Sequence, residues 1–149
     1  MQANKEAMIR FLSKKENFDN EEVAELREDL SIYEEDDTAF ETEWGDFLCL
    51  TDNQADERAE ECILDSVWAF NAEFLAAHSY LDTESIRTLQ DTGKCEDLNT
   101  PLLRTINDEK HFVSDAISAD GRGHFISRYD LEEHVVRVGD KTFFIYRMN

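Results

Sequence analysis

The stretch His134–Arg147, HVVRVGDKTFFIYR, decides the fold, because here the chain leaves the helical spacing that dominates most of its length. Val135–Val138 and Thr142–Tyr146 are runs of β-branched and aromatic residues and read as strands. Gly139-Asp140 between them fits a two-residue hairpin turn with Gly first. Just upstream, Phe125-Ile126 reads as a further short strand. Ala39–Glu43 and Asp46–Leu50 read as two more, around Trp44-Gly45. Phe47–Leu50 is continuously apolar, which predicts a strand covered on both faces. Helical patterns fill the rest, so the expected class is α+β, with several helices packed on a small, mainly antiparallel sheet.

The helices follow from spacing and caps. Met8, Phe11, Leu12 and Lys15 recur at helical intervals over Asn4–Lys15, with Lys14 and Lys15 suited to a C-terminal end. Asn17 and Asp19 interrupt the pattern. A second helix is predicted from Asn20 to Leu30, with Val23, Leu26 and Leu30 inward and Glu21, Glu25, Glu28 and Asp29 outward. Asp36 and Asp37 read as an exposed loop. Thr51 and Gln54 form a capping-box pattern before Ala55, Ala59, Cys62, Ile63, Ser66, Val67 and Phe70, while Asp56, Glu57, Glu60 and Glu61 take the opposite face. Past Leu64 this helix either becomes central or breaks near Asn71, a suitable new cap. Asp82 reads as the next N-cap, Gly93 as a stop, and Thr100-Pro101 as a helix opening with Pro first. A last helix starts at Asn107 or Asp108, turns Phe112, Val113, Ala116 and Ile117 inward and ends before Gly121. With no internal repeat and no linker composition, residues 1–149 read as a single domain whose first fifty are strongly acidic.

Charge is the dominant global property. The chain carries 35 acidic and 15 basic side chains, a net −20. Between Glu16 and Asp46 there are fourteen carboxylates and one cation, Arg27. Repulsion of this size opposes compaction. It disfavours direct binding of nucleic acid, which needs cations to displace counterions, and of anionic membranes. It favours fast association with a basic protein surface at low salt. Ten Phe, four Tyr and two Trp make the chain too apolar for a disordered acidic tail. Cys49, Cys62 and Cys95 are an odd number with no close pairing, so a reducing compartment is expected. An N-terminal apolar region is lacking, since Arg10 interrupts Met8, Ile9, Phe11 and Leu12.

Three stretches are distinctive: Ser66-Val67-Trp68-Ala69-Phe70-Asn71, then Phe74-Leu75 with His78, then Ala119-Asp120-Gly121-Arg122-Gly123-His124-Phe125 continuing to Tyr129-Asp130 and Phe143-Phe144-Ile145-Tyr146-Arg147. On these, Thr51–Asn149 resembles a family of short proteins encoded by tailed bacteriophages and prophages. The resemblance implies a phage context; with the cysteine usage, the expected setting is the cytoplasm of a bacterial host. It carries no established activity and so transfers no catalytic role. The family pattern places Gly after the Tyr-Asp pair; here Leu131 stands there, which puts the construction of that turn in question.

The carboxylates have two readings. Asp52, Asp56 and Glu60 form one i,i+4 row, Glu57, Glu61 and Asp65 a second, and the Glu21–Asp29 helix a third. Spacings of roughly 5–6 Å within such rows approach those of phosphates along a strand. A basic nucleic-acid-binding cleft would meet a competitor. The plainer reading is a solvated face that aids solubility or tolerance of salt. Taken with the phage context, the first reading gives a non-enzymatic, stoichiometric inhibitor of a host defence nuclease complex, of anti-CRISPR or anti-restriction type. Its partner-binding residues would be Glu21, Glu25, Glu28, Asp29, Asp36, Asp37, Asp56, Glu57, Glu60 and Glu61, with Trp44 as an exposed aromatic anchor. A host-takeover adaptor on a basic host protein is one alternative. Another is a small enzyme centred on Asp120, Arg122, His124 and Asp130, with His124 a base oriented by either Asp. The plain reading of that loop is a helix stop and tight strand entry, with Arg122 paired to a carboxylate. No cofactor or metal is expected: His78, His111, His124 and His134 are scattered in sequence, and His111 with Asp115 reads as a surface pair.

Overall fold

A computed structural model describes every residue except Met1, Glu34, Gly93 and Lys94. In chain order the elements are α1 (Ala3–Glu16), α2 (Asn20–Asp29), β1 (Ser31–Tyr33), β2 (Asp36–Thr42), β3 (Gly45–Leu50), α3 (Asp52–Asp65), α4 (Ala72–Ala77), α5 (Thr83–Gln90), α6 (Asn99–Thr105), α7 (Glu109–Asp120), α8 (Arg122–Ile126), β4 (His134–Val138) and β5 (Lys141–Arg147). Short 3-10 turns lie at Val67–Ala69 and Glu96–Leu98. The strands form one antiparallel sheet in the order β1-β2-β3-β5-β4, and the class is α+β. Two compact units result, Met1–Arg58 with Arg122–Asn149, and Ala59–Gly121, the division falling inside α3.

The first unit contains the sheet. β3 is central, pairing with β2 from Ala39↔Leu48 to Thr42↔Gly45 and with β5 from Phe47↔Arg147 to Leu50↔Phe144. Phe47–Leu50 is buried throughout, as its unbroken apolar run predicts. β4 and β5 close through Gly139-Asp140, with Val138 opposite Lys141. Of the two turn residues only Gly139 has positive φ, +63°, the Gly-first arrangement that suits a twisted hairpin. Ala7, Met8, Ile9 and Leu12 of α1 pack with Leu26, Leu30, Phe40, Phe47, Cys49, Phe143 and Ile145 as the core. The interruption at Asn17 and Asp19 is an end followed by a start. Asn17 takes the left-handed conformation at the close of α1, and Asp19 and Glu22 form a reciprocal capping box on α2.

Two expectations fail here, and one strand was not foreseen. Asp36-Asp37 is not a loop but opens β2, where the Asp36 carboxylate accepts from the Thr38 amide at 2.9 Å and orders the strand entry. β1 went unread because three residues show no alternation. Phe125-Ile126 is helical, not extended: the Ser127 amide donates to the Gly123 carbonyl at 2.9 Å, closing the turn of α8. Two apolar residues after a glycine fit a strand and a helical turn equally well, and packing settles the choice.

In the second unit α3 breaks at Asp65, earlier than Asn71. Asn71 then caps α4, accepting from the Phe74 amide at 2.7 Å. Asp82 caps α5 and Asp108 caps α7. The stop read at Gly93 lies outside the described residues. α6 begins at Asn99, so Pro101 is its third residue rather than its first. It is tolerated there because first-turn N–H groups have no intrahelical partner. Gly121, at φ +82°, ends α7 where the sequence placed the stop. Among the described residues no helix is long and apolar enough to cross a membrane.

Candidate functional site

The outward face of α2 is as the spacing predicts: Glu21, Glu25, Glu28 and Asp29 are all exposed. Beside it runs a groove of about 650 Å³ lined by Glu22, Glu25 and Asp29 of α2, by Glu41 near the end of β2 and by Glu43 just past it. Leu26 and Leu30 contribute apolar lining, and Trp44 joins them with its ring centroid 5.2 Å from that of Phe18. Trp44 is therefore not the freely exposed residue expected. It is half-buried, held between the core and the groove, with carboxylates around it. The Thr42 hydroxyl donates to the Gly45 carbonyl at 2.7 Å and accepts from the Trp44 amide at 3.2 Å, which fixes the turn that presents it. No Lys or Arg is among the described residues lining the groove.

Glu22, Glu41 and Glu43 were missed as site residues. Glu22 carries a capping role, its carboxylate accepting from the Asp19 amide at 2.8 Å, and Glu41 and Glu43 lie in and just past β2, away from α2 in the chain. The alternation Glu41-Thr42-Glu43 was the available signal, since it puts both acids on one side of an extended segment.

Other predicted residues fall elsewhere. Asp36 is half-buried, and the hydrogen bond from the Thr38 hydroxyl holds its carboxyl below the usual carboxylate range. Asp37 lines a separate groove of about 490 Å³ with Thr51, Gln54 and Lys141. On α3, Asp56, Glu57, Glu60 and Glu61 are exposed, but Asp56 is already paired.

Its partner is Arg122, whose side chain is 10% exposed. Arg122 Nε and Nη2 donate to the two oxygens of Glu133 at 2.9 and 3.2 Å, and Nη1 donates to Asp52 Oδ1 at 2.8 Å and Asp56 Oδ1 at 3.0 Å. The guanidinium carbon lies 4.5 Å from the Phe144 ring centroid. Tyr146 donates its hydroxyl to Glu133 at 2.5 Å. Burial, with Glu133 next to it, pushes the Tyr146 phenol above its ordinary pKa and keeps it a donor. For Arg122 burial acts in the lowering direction, yet the bonds to Glu133 and Asp52 outweigh it and the shift is upward. The loop read as a possible enzyme site is thus, at Arg122, a brace between the start of α3, α8, β5 and the 131–133 turn.

The remaining members of that constellation do not join. His124 is exposed, with its ring against Phe125, and Asp120 lies at the exposed end of α7. Asp130 accepts from the Ser127 hydroxyl at 2.6 Å and from the Glu132 amide at 3.0 Å, and its histidine neighbour is His134 at 3.4 Å, not His124. The glycine before His124 has a packing reason. A Cβ on Gly123 would stand 2.6 Å from the Glu132 carbonyl carbon and 2.8 Å from the Leu131 oxygen, so only glycine permits the approach. Leu131 itself adopts φ +60°: the turn keeps a glycine-type conformation with a branched side chain in it.

None of the three cysteines forms a disulfide; Cys49 is buried, which pushes its thiol up to about 12 and leaves it a small hydrophobe. Comparison of the chain with protein-family models, with curated proteins and with solved structures finds no match.

Proposed function

We propose that this chain is a stoichiometric protein-binding factor that engages a basic, nucleic-acid-binding surface through the acidic groove at Trp44. The observation that carries the reading is the convergence of Glu22, Glu25, Asp29, Glu41 and Glu43 around a half-buried tryptophan. Charge gathers a cationic partner quickly, and an aromatic flanked by apolar Leu26 and Leu30 supplies a desolvated contact. A guanidinium or ammonium on the partner finds both carboxylates and a ring face there. The finer reading is a phage-encoded inhibitor of a host defence nuclease complex, of the anti-CRISPR or anti-restriction kind, acting in the host cytoplasm. The phage-like Ala119–Phe125 and Phe143–Arg147 motifs motivate it.

The test is a phage plating assay in bacteria with an active CRISPR or restriction system, with and without this chain. Protected phage should plate freely when the chain is expressed. Capture from the same lysate should retain a nuclease component that is released by added NaCl and by duplex DNA. The triple change Glu25→Lys, Asp29→Lys, Glu43→Lys should abolish both effects, and Trp44→Ala should weaken them. Full inhibition by the charge-reversed protein, or capture indifferent to salt and DNA, overturns the reading.

A further inference from the structure

The Ala59–Gly121 unit holds a constellation unrelated to the acidic groove. His78 follows the last turn of α4, while His111 and Asp115 are one turn apart on α7. His78 Nε2 lies 3.0 Å and His111 Nε2 lies 3.3 Å from the same atom, Asp115 Oδ2, and the three donor atoms all fall within 4.8 Å of one another. A tetrahedral ion with bonds of about 2.0–2.2 Å needs its ligand atoms roughly 3.3–3.5 Å apart. Two sides of the observed triangle, 3.0 and 3.3 Å, are close to that, and the third is within 4.8 Å.

The His78 imidazole is held in place by other contacts. His78 is 8% exposed, and its ring packs on Phe74 and Phe112 with centroids at 5.1 and 5.5 Å. Its carbonyl accepts from the Asn107 amide at 2.8 Å, which ties it to the start of α7. Side chains fixed by packing before an ion arrives lose little freedom on binding it. The donor set also selects the ion. Two imidazole nitrogens and one carboxylate oxygen suit zinc and its neighbours, whereas calcium and magnesium require oxygen ligands.

We propose that His78, His111 and Asp115 form a binding site for one divalent ion of the zinc class, with a fourth position open to water. The ion would join the end of α4 to α7 in a unit otherwise made of short helices. A second cluster, Asp130, Glu132 and His134, offers one nitrogen, and its Asp130 is already engaged by Ser127 and the Glu132 amide. It serves as the internal control.

The experiment titrates chelator-treated protein with zinc in physiological salt and excess magnesium, which occupies the many surface carboxylates without competing for imidazole. Calorimetry should show one zinc per chain, and cobalt in its place should give the intense visible absorption of a four-coordinate ion. His111→Ala and Asp115→Asn should each weaken binding by at least ~10-fold and remove the rise in Tm that zinc gives the parent. His111 is exposed, so that variant folds without the ion; His134→Ala should bind as the parent does. Nitrogen-detected histidine spectra should shift for His78 and His111 and stay still for His124 and His134. No binding above the magnesium background, binding undiminished in His111→Ala, or binding lost in His134→Ala overturns the proposal.

Discussion

Arg122 concentrates the energetic consequences of the Asp120–Phe125 stretch in one side chain. Its partners differ in worth: Asp52 and Asp56 are 69% and 58% exposed and screened by water, while Glu133 is 27% exposed and held bidentately. Arg122→Ala leaves Glu133 and the Tyr146 hydroxyl without the cation, so a loss of about 2–4 kcal/mol is expected from urea unfolding. Arg122→Lys keeps the charge but not the planar fork, and should recover less than half of that loss. Leu131 behaves in the opposite sense. A non-glycine residue in the left-handed region costs ~1–2 kcal/mol, partly offset by the extra unfolded-state freedom of glycine. Leu131 is 53% exposed and loses little burial on truncation, so Leu131→Gly should raise Tm by a few degrees. A fall in Tm would mean that the leucine side chain contributes packing that outweighs its backbone strain.

At the scale of elements, side chains that answer backbone N–H groups set the helix starts. The Thr51 hydroxyl accepts from the Gln54 amide at 3.3 Å while the Gln54 side chain accepts from the Thr51 amide at 2.9 Å. Thr51→Ala should cost about 1 kcal/mol and speed hydrogen exchange of the first-turn amides of α3, leaving β3 protected. These caps were legible because a capping box is local in sequence, as were the stripes of α1, α2 and α7 and the two-residue turn at Gly139-Asp140. The elements misread were the short ones. β1 has three residues and α8 five, too few to display a period, and their conformations follow from what they pack against. For α8 that constraint is the backbone of residues 131–133 pressed on Gly123.

For the whole molecule, a net −20 makes solution conditions a structural variable. At neutral pH added NaCl should raise Tm, because screening relieves repulsion more than it weakens the few exposed ion pairs. Acid acts through the carboxyls whose native pKa values are lowered. Below about pH 4 stability should fall, because native carboxyls with lowered pKa values contribute only while ionised. These are Glu6, lowered first by its bond from Arg27; Asp36 by the Thr38 hydroxyl; Asp82 by the Ser85 amide; and Asp130, where bonds from Ser127, Glu132 and His134 outweigh the raising effect of burial. Thermal unfolding followed by circular dichroism across salt and pH checks both signs. A Tm that drops with salt at pH 7 would show that attraction, not repulsion, governs the surface.

The amino-acid sequence by itself determined the charge, the α+β class, the central buried strand, the C-terminal hairpin and the outward carboxylates of α2 and α3. Each of these depends on composition or on spacings of two to four residues, which backbone geometry converts directly into faces and turns. Only the tertiary structure decided which carboxylates meet. It set Glu41 and Glu43 in one groove with the acids of α2, spent Asp56 on Arg122, separated His124 from Asp130, and brought His78 to His111 and Asp115. Those pairings join residues far apart in the chain, and the apolar packing that brings them together has no local spacing from which to read it.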